Sequence, residues 1–402
     1  MLVGIDRLHF LPNLAHSLSQ ERVGLLSHQA AVDKNLTSIA QTLFSYGIKP
    51  RILFGPEHGY GAEAQDMVGV KDSKEPTRGT PIISLYGQSL SDLSPKPEHL
   101  EDINTLIVDL CDVGSRYYTF AWSALLAVRA AHKQGVRTVL FDRPNPIGGL
   151  ALEGKPQRQE LLSFVGLMPI CARHGLTLGE MIAEMASLDN IAVGPNEALD
   201  VVAVDGWSRA SLATQWDRPF IMPSPNMPTV DTALVYPGGC LLEGTNLSEG
   251  RGTTRPFELC GSPWLDEARL ARDLVCTRLG GFIARPATFK PVFHKYAGQI
   301  CRGVQIHVTN PKEFRPMATY VAIIALSARQ APEVFRFRTE PYEFVDDIPA
   351  IDLLAGSTIL REGVVKGLDP MELVDAVCTV EESERETHKR AIERVAVAES
   401  RR

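Results

Sequence analysis

The chain has 402 residues, of which 44% are hydrophobic and 22% charged, a length that exceeds one ordinary core and a composition that excludes disorder. Its formal net charge is -7, and Lys and Arg are scattered rather than striped, so neither nucleic acid nor an anionic membrane is an expected partner. The 7 cysteines contain no Cys-x-x-Cys pair and read as reduced, mostly buried small residues.

In chain order, residues 23–27 read as a first strand, 37–46 as a helix ended at Gly47, and 51–54 as a second strand. Strands are expected again at 81–85 and 105–110, then a helix over 120–133 stopped at Gly135, then a strand at 137–141. Apolar runs alternating with amphipathic helices of about 10 to 15 residues predict an α/β fold with a mainly parallel, helix-covered sheet. Further on, 178–186 reads as a helix, 199–204 as a strand, and 219–263, rich in glycine and proline, as a long loop-rich stretch. Past Trp264 the pattern changes to a helix over 266–279, an alternating strand at 303–308, a helix over 317–328 and helical segments from Pro370. A domain boundary is therefore placed near residue 260, dividing 1–260 from 261–402. The charged end, ESERETHKRAIERVAVAESRR, reads as a solvated helix with i,i+4 charge pairs. No basic segment followed by an apolar one opens the chain, and no stretch nears the roughly 18 apolar residues of a membrane span. The expectation is a cytoplasmic protein, or a periplasmic or secreted one if an N-terminal signal was removed.

Residues 51–61, RILFGPEHGYG, set Glu57 just past a strand that Gly55-Pro56 ends, because proline lacks the donor a ladder needs. Ligands of open α/β sheets bind beyond the carboxyl ends of strands, so Glu57 is a candidate functional carboxyl as well as a candidate solvated loop residue. The overlapping Gly59-Tyr-Gly-Ala-Glu-Ala64 matches the dinucleotide fingerprint, but Gly69 and Pro76 leave no room for the helix it should open. No nicotinamide or flavin cofactor is expected. Walker loops, G-x-S-x-G elbows, H-E-x-x-H and metal-spaced His/Cys sets are absent, so no metal is expected, and Gly206-Trp-Ser-Arg-Ala210 reads as surface loop.

Polar clusters remain, most of them at the ends of expected strands: 109–119 (DLCDVGSRYYT), 142–146 (DRPNP), 173–175 (RHG), and the glycine-rich 243–253 (EGTNLSEGRGT). Any one of them is also explained by capping and turn chemistry, with Asp109 or Asp112 as a cap and Asn145 in an Asx turn. Together they converge on one edge of a parallel sheet, giving a cleft of carboxyls, arginines, tyrosines and glycines. Carboxyls to protonate a leaving oxygen and handle an anomeric carbon, with aromatics for sugar faces, describe a carbohydrate site without a metal.

The strings GPEHG, SLYG, DVGSRYYT, DRPNPIGG, PSPNMPT, YPGGCLLEGTNLSEGRGT and FHKYAGQICRGVQIHVTN resemble one family along nearly the whole chain, the exo-acting β-N-acetylmuramidases of the NamZ type. The resemblance implies a Rossmann-like domain, a smaller C-terminal α+β domain and a cleft between them. It also implies release of N-acetylmuramic acid from the non-reducing ends of peptidoglycan-derived saccharides. In that family the glutamate of GPEHG, here Glu57, is the expected catalytic carboxyl, with Glu243 or Glu249 as the second group. Tyr86 and Tyr118 are outside candidates for that role and candidates for binding, as is His58, which could orient the carboxyl or bond its own backbone. Arg116, Arg143 and Arg251 are candidates for the lactyl carboxylate of muramic acid, which suits an arginine fork. Asn145, His174 and Asn246 complete the expected binding residues. The rival readings are a non-catalytic binder of a wall-derived acidic sugar, and an esterase or amidase acting on the same polymer.

Overall fold

The structure is a computed structural model that describes residues 1–65 and 67–402. A seven-stranded sheet runs β3-β4-β2-β1-β5-β6-β7, with β1 at Val23–Ser27, β2 at Ile52–Gly55, β3 at Ser73–Lys74 and β4 at Pro81–Ser84. Strands β5 (Thr105–Asp109), β6 (Arg137–Phe141) and β7 (Leu199–Val202) complete it, and every pairing is parallel except β3 with β4. Leaving aside the short β3, the spatial order is that of a doubly wound Rossmann-type sheet, whose order reverses between β1 and β5.

The central strands are apolar runs because both of their faces are covered. Every residue of β1 and β5 is buried, and successive side chains enter opposite cores. Leu25 and Ile107 join the core that holds Ile39 and Leu43, while Leu26, Leu106 and Val108 join the larger core against helix Phe120–Lys133. That helix carries a buried face of Phe120, Ala121, Ala124, Leu125, Val128 and Ala131, and Gly135 at φ 69° follows its end. Helix Leu178–Leu188 starts with a capping box in which Thr177 N donates to Glu180 Oε2 at 2.9 Å and Glu180 N donates to Thr177 Oγ1 at 3.2 Å.

The 219–263 stretch departs from the loop expected of it. Helix Val230–Gly239 passes directly into a 3-10 turn at Cys240–Gly244, and β8 follows at Leu259–Ser262. Its Pro237-Gly-Gly end reads as punctuation, yet a Cβ on Gly238 would stand 2.1 Å from the carbonyl oxygen of Pro316. The glycines let this helix meet the long helix Pro316–Gln330, and that contact outweighs local propensity. Strand β8 then pairs with β10 (Cys301–Val308), which also pairs with β9 (Phe282–Phe289), a strand that the sequence pattern did not show.

The terminal helix Glu382–Glu399 also differs from the solvated helix expected. Ala391, Val395 and Ala398 are buried, and Glu184 of helix Leu178–Leu188 pairs with Arg390 at 2.5 Å and with Arg394 at 2.9 Å. Glu399 pairs with Arg7 at 2.9 Å, so the chain's end is tied back to the edge of the large sheet near β7. The expected i,i+4 pairing is present at Lys389 and Glu393, 3.7 Å apart.

Candidate active site

Glu57 follows the carboxyl end of β2. Gly55 is required there, because a Cβ would lie 2.5 Å from Tyr60 N, and the chain then reverses through left-handed His58 (φ 69°) and Gly59 (φ 82°). No helix follows this turn among the described residues before β4, so the dinucleotide fingerprint lacks the helix it needs. The Glu57 carboxyl is buried, and Thr119 Oγ1 donates to its Oε2 at 2.5 Å while Met67 N donates to Oε1 at 3.3 Å. His58 Nδ1 lies 2.8 Å from the carbonyl oxygen of Ala64, and since a carbonyl only accepts, Nδ1 carries the proton. His58 therefore stiffens its own loop.

Glu57 opens into a small cleft that Ser224, Asn226 and Tyr236 also line. Tyr118 and Thr119, beyond β5, form one wall, with Tyr118 tilted at 55° against Phe120 at 4.7 Å and edge-on to Tyr236 at 6.2 Å. The opposite wall comes from the 3-10 turn and the loop after it. Arg251 donates to Glu243 Oε1 at 2.7 Å and Tyr342 donates from its hydroxyl to Oε2 at 2.6 Å. Burial holds the Tyr118, Tyr236 and Tyr342 phenols well above their ordinary pKa, so these groups act as neutral donors. Three buried glutamates from distant parts of the chain, Glu57, Glu243 and Glu343, thus share one small, tyrosine-lined space.

Of the residues expected from sequence, Glu57, His58, Tyr118, Glu243 and Arg251 meet at this cleft. Tyr86 stands behind it, donating from its hydroxyl to Glu343 Oε2 at 2.9 Å. Glu249 does not open into it: it is fully buried, 2.9 Å from Lys295 Nζ and 3.0 Å from His294 Nδ1. Burial opposes its charge, but Lys295, His294 and Arg251 outweigh that and hold the carboxyl well below the usual range. Lys295 also donates to the Leu242 and Leu247 carbonyls, so the Glu249–Lys295 pair pins the glycine-rich loop.

Five further candidates lie elsewhere because their polar atoms hold the scaffold together. Arg116 donates to the backbone oxygens of Lys155, Ile170 and Leu354, and Arg143 pairs with Asp109 beside a separate cavity that also holds Cys111 and Trp216. Asn145 forms the Asx turn, accepting from Ile147 N at 3.1 Å. His174 accepts from Leu176 N at 3.1 Å and lies 3.2 Å from Asp112, beside a groove under the terminal helix. Asn246 bonds the Val334 carbonyl and the Arg336 amide. The cleft also contains residues not singled out from sequence, namely Thr119, Ser224, Asn226, Tyr236, Tyr342 and Glu343. The first four stand inside the quoted strings DVGSRYYT, PSPNMPT and YPGGC, whereas Tyr342 and Glu343 lie in a segment without any such string.

Fold and cleft together define an α/β protein whose acidic, tyrosine-rich site lies near the point where the sheet's strand order reverses. Residues 23–231 match the family model described as exo-beta-N-acetylmuramidase NamZ, N-terminal, and residues 234–392 match its C-terminal counterpart. The chain belongs to this NamZ family. It is 38% identical over 374 residues to the peptidoglycan beta-N-acetylmuramidase NamZ of Bacillus subtilis, covering 93% of this chain and 86% of that protein. A DUF1343 family protein from Bacteroides fragilis superposes with a TM-score of 0.83 at 26% identity, with 98% of each chain covered. A second DUF1343 protein from that organism, at 23% identity and a TM-score of 0.71, shares the fold.

Proposed function

We propose that this chain is an exo-acting β-N-acetylmuramidase that releases N-acetylmuramic acid from the non-reducing ends of peptidoglycan fragments. The observation that carries the reading is the joint presence of Glu57 and Glu243 at one buried cleft in a member of the NamZ family. Glycoside hydrolysis needs one group to protonate the leaving oxygen and another to deal with the anomeric carbon. Glu57 is the general acid, its carboxyl aimed by Thr119, and Glu243 is the second group, its two oxygens held by Arg251 and Tyr342. Among the three arginine candidates Arg251 alone lines the cleft, which favours it as the partner of the lactyl carboxylate.

Incubation with a disaccharide bearing N-acetylmuramic acid at its non-reducing end tests the reading. Free N-acetylmuramic acid is the expected product. Ligand retained intact would make the protein a binder, and loss of only the lactyl or acetyl group would make it an esterase or amidase.

A further inference from the structure

Resting on the glycosidase reading, we propose that Glu343 is a substrate-recognition residue, a carboxylate on a strained hairpin tip that accepts a hydrogen bond from a hydroxyl or amide N–H of the terminal sugar. Tyr342 and Val345 exchange both backbone hydrogen bonds, at 2.8 and 3.0 Å, leaving Glu343 and Phe344 as a two-residue turn. Both turn residues have positive φ, 47° and 67°. Two-residue hairpins of this kind favour Asn-Gly, because glycine and asparagine tolerate left-handed backbone that a glutamate and a phenylalanine resist. Strain of this sort persists where surrounding contacts enforce it and clusters at ligand sites.

The contacts explain what the turn accomplishes. Tyr342 reaches Glu243 at 2.6 Å, Phe344 packs edge-on to Tyr86 at 5.5 Å and to Phe164 at 6.3 Å, and between them Glu343 lines the cleft with Glu57 and Glu243. Shape alone would be met by Asn-Gly and packing alone by an apolar residue, whereas a carboxyl only 5% exposed here takes the Tyr86 hydroxyl as a partner and also lines the cleft. A carboxylate accepts up to about four hydrogen bonds, so the oxygen to which Tyr86 donates at 2.9 Å orients the group while it still accepts from a ligand. A terminal N-acetylmuramic acid residue suits such an acceptor, since its O3 is etherified, its O1 is in the glycosidic bond, and the donors left on the ring are two hydroxyls and the amide.

The test compares wild type with Glu343→Gln, whose single carbonyl oxygen must serve both Tyr86 and the sugar. Steady-state rates on the disaccharide, calorimetric binding of free N-acetylmuramic acid and the thermal midpoint are measured on each. We expect KM and the product Kd to rise about tenfold or more, kcat to change by less than about threefold, and the midpoint to stay put. Tyr86→Phe, which removes the orienting hydroxyl, should reproduce part of the rise in KM and provides the comparison if Glu343→Gln folds poorly. Unchanged KM and Kd in both variants reduce Glu343 to a support of the turn and overturn the proposal. A loss confined to kcat, of roughly 10²-fold or more, overturns it too, by making Glu343 a catalytic group. Should wild type bind N-acetylmuramic acid without releasing any from the disaccharide, the glycosidase reading fails, and the binding comparison still decides Glu343.

Discussion

At the scale of single residues, the part played by Glu57 is open to a direct measurement. A general acid matters most when the leaving group is a sugar alcohol and little when it is an activated phenol. Glu57→Gln retains the bond with Thr119 and removes the proton, so it is expected to cost about 10² to 10⁴-fold on the natural disaccharide and markedly less on an aryl muramide. Equal losses on both substrates would instead assign Glu57 as a nucleophile or an activator of water. A second residue contributes to stability in acid. His28 is buried, its Nε2 accepts from Cys111 N at 3.0 Å, and burial first, then Arg143 and His58, lower its pKa from 6.5 to about 3. In this window the unfolded chain takes up a proton that the folded one refuses, so the stability His28 contributes is complete above pH 6.5 and is lost as pH falls toward 3. Glutamine at this position can accept the same N–H without titrating. His28→Gln should therefore lose less stability than wild type between pH 6.5 and about 4, read as urea midpoints, and parallel curves would refute the assignment. Glu57 could be singled out in the sequence because Gly55-Pro56 marks a strand end, but the Thr119 hydroxyl that aims it comes from another strand's end and has no local mark.

Among elements, the parallel strands of the large sheet and helices Ile39–Ser45, Phe120–Lys133 and Leu178–Leu188 were legible to within a few residues, because burial leaves apolar runs. The exposed two-residue β3 and helix Pro12–Gln20 were not. Helix Phe120–Lys133 and strand Arg137–Phe141 have the expected bounds. Helix Val230–Gly239 was hidden, since Pro237-Gly-Gly reads as a breaker until the approach of Pro316 is known. Gly238→Ala tests that account. With the backbone oxygen of Pro316 only 2.1 Å from the added carbon, the two helices must move apart, and we expect about 1 to 3 kcal/mol of destabilisation in urea unfolding. No loss of stability would mean that the contact yields freely and that some other constraint holds the glycine. Strand β9 was missed for a related reason: its burial alternates imperfectly and its Pro286 argues against a strand, while pairing along the whole of β10 stabilises it.

Over the whole molecule, the buried acids Glu243 and Glu249 each have a basic partner. Arg251 stands on Glu243 and Lys295 on Glu249, and among the described residues no group of three or more His, Cys, Asp or Glu side chains is arranged to hold a metal ion. Dialysis against EDTA should leave turnover unchanged, whereas activity lost and then restored by one divalent ion would show that the acidic loop is a metal site. The α/β class, the parallel sheet and the position of Glu57 beyond a strand were determined by sequence alone, because apolar periodicity and Gly-Pro punctuation act over a few neighbouring residues. Sequence likewise marked the glycine-rich loop from Glu243 to Arg251, but could not tell Glu243 from Glu249 within it. Only the tertiary structure separated them, through Lys295 and His294, which cover Glu249, and Tyr342, which comes from a hairpin 99 residues beyond Glu243 to bond it in the cleft. The same holds for Arg116 and Arg143, whose type and spacing suit an anion but whose guanidinium groups are taken up by backbone carbonyls and by Asp109. Whether a charged side chain serves a ligand or the scaffold depends on which partners the fold brings within about 3 Å, and those partners are remote in the chain.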